Sequence, residues 1–367
     1  MSIPIIDLFA GAGGLGIGAV KAGCDLRLSV ELDAVAHQTL QQNTESHGGT
    51  ALRGDVRDIS GQELRELAGL SRKDTLIVAG GPPCQPFSKA SYWTDPGADS
   101  KYRQARAKGE KIERPAPITE ARPDERRSLI MEFHRLVCES NADGFLFENV
   151  TSILHPRNKQ TFLDFRQAME DSGFQTTLIK ANAADYGVPQ KRQRVILLGL
   201  RTEVPGVPAK THSKVANGLP CYVTCGTALK PFRAKEYAEK GEEVTGRWEA
   251  QLREIPPGKN YKALTEWAGH PNPVFVAETR FWNFLLKLHP DLVSWTIAAS
   301  PGPWTGPFHW DSRRLRTVEM AALQNFPAGY EFAGSRRDRV RQIGNALPPN
   351  MATACLAPLV NVLSGAS

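Results

Sequence analysis

The chain reads as an α/β protein: a Rossmann-like, mostly parallel sheet with a smaller irregular domain inserted late in the sequence. Three observations predict this. Short apolar runs bounded by turn residues alternate with amphipathic stretches through the first two hundred residues, the pattern of βαβ units. The first run opens into Phe9-Ala-Gly-Ala-Gly-Gly-Leu-Gly16, a glycine-rich turn from strand to helix. From Arg201 to about Pro303 both periods vanish, and prolines, glycines, aromatics and mixed charge take over.

The elements follow in order. Strands are expected at 3–9, 26–31, 75–79, 144–147 and 195–200, with helical stretches at 34–42, 126–138 and 162–169 between them. The segment 91–124 is polar, basic and punctuated by Gly and Pro, and neither period is expected there. Helical patterns return at 315–324 and 351–363, and no internal repeat is visible. This gives a catalytic body at 1–201 with a 91–124 insertion loop, an insertion at 202–303 and a return to the body at 304–367.

Composition narrows the class. The 367 residues are 41% hydrophobic with a mean hydropathy of -0.34, and no run approaches the ~18 apolar residues of a membrane span. The start, Met1-Ser-Ile-Pro-Ile-Ile, lacks a basic region, so neither a signal peptide nor membrane association is expected and the location expected is cytoplasmic. Six scattered cysteines fit reduced thiols rather than a disulfide framework. A formal charge of +6 and a pI near 9.0 permit a polyanionic partner.

Chemistry concentrates in six places. Gly11-x-Gly13-x-x-Gly16 has the spacing that lets backbone approach a ligand at a helix N-terminus. Glu31 closes the second strand twenty residues after Gly11, where ribose hydroxyls are usually bound. These two features predict a nucleoside cofactor without choosing between a dinucleotide and S-adenosylmethionine (SAM). Gly54-Asp55-Val56, ending a third strand region, offers a carboxylate and an apolar wall for an adenine.

The fourth feature is Gly80-Gly-Pro-Pro-Cys84-Gln85-Pro-Phe-Ser88, directly after a buried strand. A structural cysteine needs no such setting, whereas a nucleophile needs a fixed backbone and an accessible sulfur. Fifth, Gly144-Phe-Leu-Phe-Glu148-Asn149 brings a carboxyl to the same sheet edge, partly desolvated and suited to proton donation near neutrality. Further on, Gln190-Lys-Arg192-Gln-Arg194 alternates so that Gln190, Arg192 and Arg194 share one face of a strand.

In this order, the motifs resemble the DNA (cytosine-5)-methyltransferase family of bacterial or phage type. The resemblance rests on Phe9 to Gly14, Glu31, Asp55, Pro82-Pro83-Cys84-Gln85, Glu148-Asn149-Val150, Gln190-x-Arg192-x-Arg194, the 313–327 stretch and Gly344-Asn345-Ala346-Leu-Pro348. It implies SAM as cofactor, held by Phe9, Ala10, Gly11, Gly13, Gly14, Glu31, Leu32, Asp55, Val56, Pro82, Asn345 and Ala346. It implies Cys84, Glu148, Arg192 and Arg194 as catalytic residues, with 202–303 as the target-recognition domain. Substrate contacts are expected from Gln85, Ser88, Asn149 and Gln190, and from the basic run Lys101, Arg103 and Arg106. The implied partner is double-stranded DNA, bound by a monomer that serves a cognate restriction or phage-defence system.

Three departures stand out: Leu32 where a larger aromatic often flanks the adenine, Val318 in place of a common arginine, and a longer 91–124 loop. Cys221-x-x-x-Cys225 with His212 lacks a second ligand pair, so no metal is expected. Three rivals stand beside this reading. One is a nicotinamide oxidoreductase, which leaves Cys84, Glu148 and Arg194 without a joint role. The others are a non-catalytic DNA-binding relative and an RNA cytosine methyltransferase.

Overall fold

The computed structural model describes residues 2–87, 98–110, 112–116 and 123–365, with backbone alone at 98–100, 103 and 107. Seven strands form the central sheet: β1 (Ile3–Leu8), β2 (Cys24–Glu31), β3 (Thr50–Arg53), β4 (Ile77–Gly80), β5 (Gly144–Val150), β6 (Gln175–Asn182) and, after the two-residue β7 (Gln190–Lys191), β8 (Gln193–Leu200). Their order is β3-β2-β1-β4-β5-β8-β6. All neighbours are parallel except β8, which runs antiparallel to both β5 and β6. Ten residues join β6 to β8, too few for the crossover that parallel strands require, so the pair closes as a hairpin.

Strand direction and period dictate the layers. Along β1, Ile6 and Leu8 enter one core with the phenylalanines of the Leu129–Glu139 and Pro156–Asp171 helices. Ile3 and Ile5 enter the other, under helix α1 (Gly14–Lys21) and the Pro349–Leu363 helix. An acid, Asp7, occupies the next position on that second face and is 1% exposed. The 336–363 stretch is long and apolar enough to cross a bilayer by length and composition. It is broken at 346–348, and Met351, Ala352, Cys355, Leu356 and Leu359 pack into the core.

Most expected elements lie close to their observed bounds. Helix α2 (Ala34–Gln42) starts where Asp33 accepts hydrogen bonds from the Val35 and Ala36 amides at 3.1 and 2.9 Å. One expectation is corrected: inside 91–124 the segment Ala98–Ala107 is helical. Its charged side chains leave no apolar stripe for the sequence pattern to display.

Beyond β8 the chain leaves the sheet. Val244, Leu252, Ile255, Tyr261, Leu264, Phe275 and Leu285 form a separate small core that also takes in Phe308. Cys225, Leu229, Leu288 and Ile297 pack with Leu315, Met320, Leu323, Val340 and Ile343. The insertion proposed at 202–303 therefore shares its packing with residues on both sides of its end. A two-stranded parallel pairing of β7 with β9 (Ser294–Trp295) fastens it to the body.

Candidate active site

Strand order reverses between β1 and β4, since β2 and β3 lie to one side and β4 and β5 to the other. Ligands of open α/β sheets bind at the carboxyl edge of such a switch point. A cavity of about 530 Å³ opens there. Its wall is formed by Phe9–Gly11, Leu15, Glu31–Asp33 and Gly54–Arg57 from the β1–β3 side. Gly81–Gln85, Glu148 and Arg194 come from the β4, β5 and β8 side, and Asn345–Leu347 from the C-terminal region.

The turn after β1 is made by backbone. Phe9 and Gly11 both have left-handed φ, 58° and 56°, unusual for a bulky phenylalanine. Glu31 holds this turn: its Oε2 accepts from the Gly11 amide and its Oε1 from the Asp33 amide, each at 2.7 Å. Burial raises the Glu31 carboxyl above its ordinary range. Gly13 and Gly14 do not line the cavity. A Cβ on Gly13 would meet Leu40 and the Tyr330 hydroxyl at 2.9 Å, and one on Gly14 would lie 2.2 Å from the Leu347 carbonyl oxygen. Their glycine identity comes from packing. Val56 is buried and Leu32 exposed along the wall. Asp55 is engaged by Arg57, whose Nη2 lies 2.6 Å from Oδ2, and that hydrogen bond lowers the Asp55 carboxyl below its ordinary range.

The loop after β4 is pinned from several directions. Asn149 donates to the Pro82 carbonyl at 3.2 Å, Arg127 to that of Pro86 at 2.9 Å, and Ser152 to that of Phe87 at 2.6 Å. Within the loop the Phe87 amide donates to the Cys84 carbonyl at 3.0 Å. Proline rigidity and these donors fix Cys84 on the cavity wall, with Glu148 and Arg194 beside it. Arg194 Nε and Glu148 Oε1 are 2.7 Å apart, and their side chains are 11% and 13% exposed. Burial pushes the Cys84 thiol above its ordinary range; the Arg194 charge pulls it down, Glu148 raises it and Arg192 lowers it.

Several predicted residues stand behind the site instead of in it. Asn149 is fully buried beneath the cysteine loop. Gln190 is also fully buried, bonded to the Leu323 carbonyl, the Gln324 side chain and the Ile297 amide. Arg192, completely buried, donates through Nη2 to the Gly344 and Asn345 carbonyls at 2.7 and 3.3 Å. It thus holds the backbone that brings Asn345 and Ala346 to the cavity. Of the two arginines expected to be catalytic, Arg194 alone lines the wall. Lys101 and Arg106 lie on the Ala98–Ala107 helix away from the wall, with Arg106 3.9 Å from Glu278 of the insertion. Ser88 and the Arg103 side chain lie outside the described residues.

The sequence reading missed Asp7, Ala36, Arg126, Leu129, Arg341 and Gln342, which also line the cavity. Of these, Asp7 had a visible signal, an acid inside the apolar run Ile5-Ile6-Asp7-Leu8.

The sheet order, with a cavity at its switch point, is a fold that solved methyltransferases share. An E. coli prophage-encoded DNA modification methyltransferase aligns over 99% of this chain and 100% of its own, with TM-score 0.66 and 21% identity. The S. pombe Dnmt2 methyltransferase aligns over 99% of both chains, with TM-score 0.59 and 14% identity. Residues 3–361 match the C-5 cytosine-specific DNA methylase family, and the chain belongs to it. The protein is a DNA cytosine-5 methyltransferase. Among its relatives, the Type II methyltransferase M.SacI of Streptomyces achromogenes is 33% identical, across 98% of this chain and 93% of its own length. The Type II methyltransferase M.NgoFVII of Neisseria gonorrhoeae is 28% identical, across 94% and 83%. Membership sets aside the nicotinamide oxidoreductase reading.

Proposed function

We propose that the chain methylates C5 of a cytosine flipped out of a specific duplex DNA sequence, through a covalent bond between Cys84 and C6, with SAM as donor. The observation that carries this reading is the convergence of Cys84, Glu148 and Arg194 on one wall of a cavity whose opposite wall holds Glu31 and the glycine turn. Phe9, Ala10, Gly11, Glu31, Leu32, Asp55, Val56, Pro82, Asn345 and Ala346 fit a nucleoside donor, combining a ribose-binding carboxylate with an apolar wall. When bound, SAM supplies an electrophilic methyl group.

The base needs activation, because cytosine C5 is a poor nucleophile. Attack of the Cys84 thiolate on C6 moves an electron pair toward C5 and builds negative charge at N3 and O2. Glu148 holds a proton toward N3, and Arg194 faces O2 from its 2.7 Å pairing with Glu148. The activated C5 takes the methyl group. Removal of the C5 proton then returns an electron pair to the ring and expels Cys84. Arg192 positions Asn345, and Asn149 positions the cysteine loop. Inside a duplex the ring faces are stacked, so the base must leave the helix.

We take 202–303 as the segment that reads base edges. Lys101, Arg103 and Arg106 then contact phosphates irrespective of sequence. The Type II relatives support a partnership with a cognate restriction or phage-defence system. Bisulfite sequencing of DNA from a host expressing the chain tests the reading: one protected sequence context is expected, absent with Cys84→Ser. Protection in RNA alone, or none, would reject it.

A further inference from the structure

Around the Thr317–Leu323 helix, arginines are matched to carboxylates. Arg313 pairs with Glu319 at 2.6 Å, Arg316 with Glu242 at 2.6 Å and Arg336 with Glu239 at 3.2 Å. Arg314 breaks the pattern. It is half-buried, yet among the described residues its guanidinium makes no ion pair and no hydrogen bond. The Phe308 ring centroid lies 6.0 Å away, at the outer limit of a cation–π contact. Burial, and then the Arg336 charge, hold the Arg314 guanidinium below its ordinary range. Its main chain is nevertheless fixed, by a bridge to Phe308 and by its amide donating to the Glu242 carbonyl at 2.7 Å. An arginine does not shed its proton to relieve such a setting, so the charge is completed by an anion from outside the chain.

Arg314 lines a small groove with Arg336, Ile297, Thr305, Phe308 and Leu315. Its volume is about 40 Å³. A cofactor-sized ligand needs roughly 300 Å³ or more, whereas the oxygens of a single oxyanion need far less. The Thr305 hydroxyl on the same wall makes no hydrogen bond among the described residues. A guanidinium and a hydroxyl, both unengaged, are the donors that phosphate oxygens take. The groove also lies on the seam between insertion and body. The Ile297 amide donates to the Gln190 side chain at 3.1 Å, on the strand pair that precedes Arg194. Ala299 packs so closely on Gly344 that a Cβ there would lie 2.5 Å from the Ala299 Cα, and the next residue, Asn345, lines the cofactor cavity. An occupant of the groove is thereby held in fixed relation to both Arg194 and Asn345.

We infer that Arg314 and Thr305 form an anion site that takes one backbone phosphate of duplex DNA. The inference rests on the duplex-DNA reading above. The contact carries no sequence information; it sets the register of the duplex against the catalytic wall. Arg336 keeps its pairing with Glu239 and contributes only its positive field.

The test titrates the full chain with a duplex carrying the methylated sequence and with a scrambled one, from about 50 to about 200 mM salt. Each neutralised phosphate adds about 0.9 to the slope of log affinity against log salt. Arg314→Met keeps the apolar stem and removes the charge, so the slope should flatten by about 0.9 on both duplexes. The loss of affinity should then be about 3.5 times larger at the low-salt end than at the high-salt end. Arg314→Lys should keep the slope, and Thr305→Val should weaken both duplexes alike with the slope unchanged. Affinity for S-adenosylhomocysteine should be the same in all three. Should Arg314→Met not fold, Arg314→Gln takes its place. An unchanged slope, a loss confined to the methylated sequence, or a lysine variant that behaves like the methionine one overturns the site. No effect of Thr305→Val removes Thr305 from it. Failure of the unsubstituted chain to bind either duplex overturns the duplex-DNA reading and this site together.

Discussion

Gly81→Ala separates the chemistry of the site from its architecture. A Cβ at Gly81 would lie 2.8 Å from Glu148 Oε2, 3.7 Å from the Glu148 carbonyl oxygen and 3.9 Å from its Cβ. The closest of these is the far end of a side chain, which can swing, so the backbone need not move. Gly81 also lacks the left-handed φ that would strain an alanine. The fold should therefore survive with a small loss, within about 1 kcal/mol. The displaced group, however, is the carboxylate paired with Arg194 at 2.7 Å. Relief of the overlap needs a shift of roughly 1 Å, and misplacement of that size costs about 10²-fold in rate, near 2.7 kcal/mol of barrier. Single-turnover methyl transfer to duplex DNA, with SAM affinity and thermal melting as controls, measures it. A variant that transfers at the unsubstituted rate would refute the requirement for Glu148 in this position. Lost SAM affinity would show instead that Gly81 serves the cofactor.

Other outcomes follow from the same geometry. Cys84→Ser should abolish transfer with SAM binding nearly unchanged, and a 5-fluorocytosine duplex should trap the unsubstituted protein, but not the variant, as an SDS-stable adduct. Glu31→Ala should weaken SAM by roughly 1–3 kcal/mol in a binding titration, through ribose hydroxyls left unpaired and a loosened Gly11 turn. The Cys84 thiol lies above its ordinary 9.0 because of burial, so it is protonated at neutrality and its thiolate fraction rises about tenfold per pH unit below its pKa. Its iodoacetamide alkylation in DNA-free protein, read by peptide mass mapping, should still be climbing past pH 9; a plateau below that value contradicts the burial argument.

The parts of this molecule with a strong local period were readable from its residues alone. Helix α2 is expected at its observed bounds from its amphipathic pattern, and in the structure Asp33 caps its start. The edge strand β6 was overlooked, since Gln175-Thr-Thr-Leu-Ile-Lys-Ala-Asn182 is half polar and only Ile179 and Ala181 are buried. Residues that short motifs single out, Cys84, Glu148, Glu31 and Arg194, all line the cavity. Arg126, delivered to the wall by tertiary packing, is not legible in the same way, because nothing near it in sequence marks a cavity. Arg192 shows the converse limit. Period 2 placed it on the face of Arg194 correctly, but only the fold reveals that the Gly344 and Asn345 carbonyls occupy that face at its position.

If 202–303 reads base edges, the seam between β7 and β9 sets rules for exchanging that segment between such enzymes. Gln190 pairs with Ser294 and Lys191 with Trp295, and the Gln190 amide also reaches Ile297, Leu323 and Gln324. Arg194 follows only four residues later. A chimera joined inside 294–297 would disturb this knot and with it the strand that carries Arg194, so it would lose turnover whatever sequence its new module preferred. Joined upstream of Ser294, the host keeps the knot intact, and the transplanted segment is free to redirect a working catalyst.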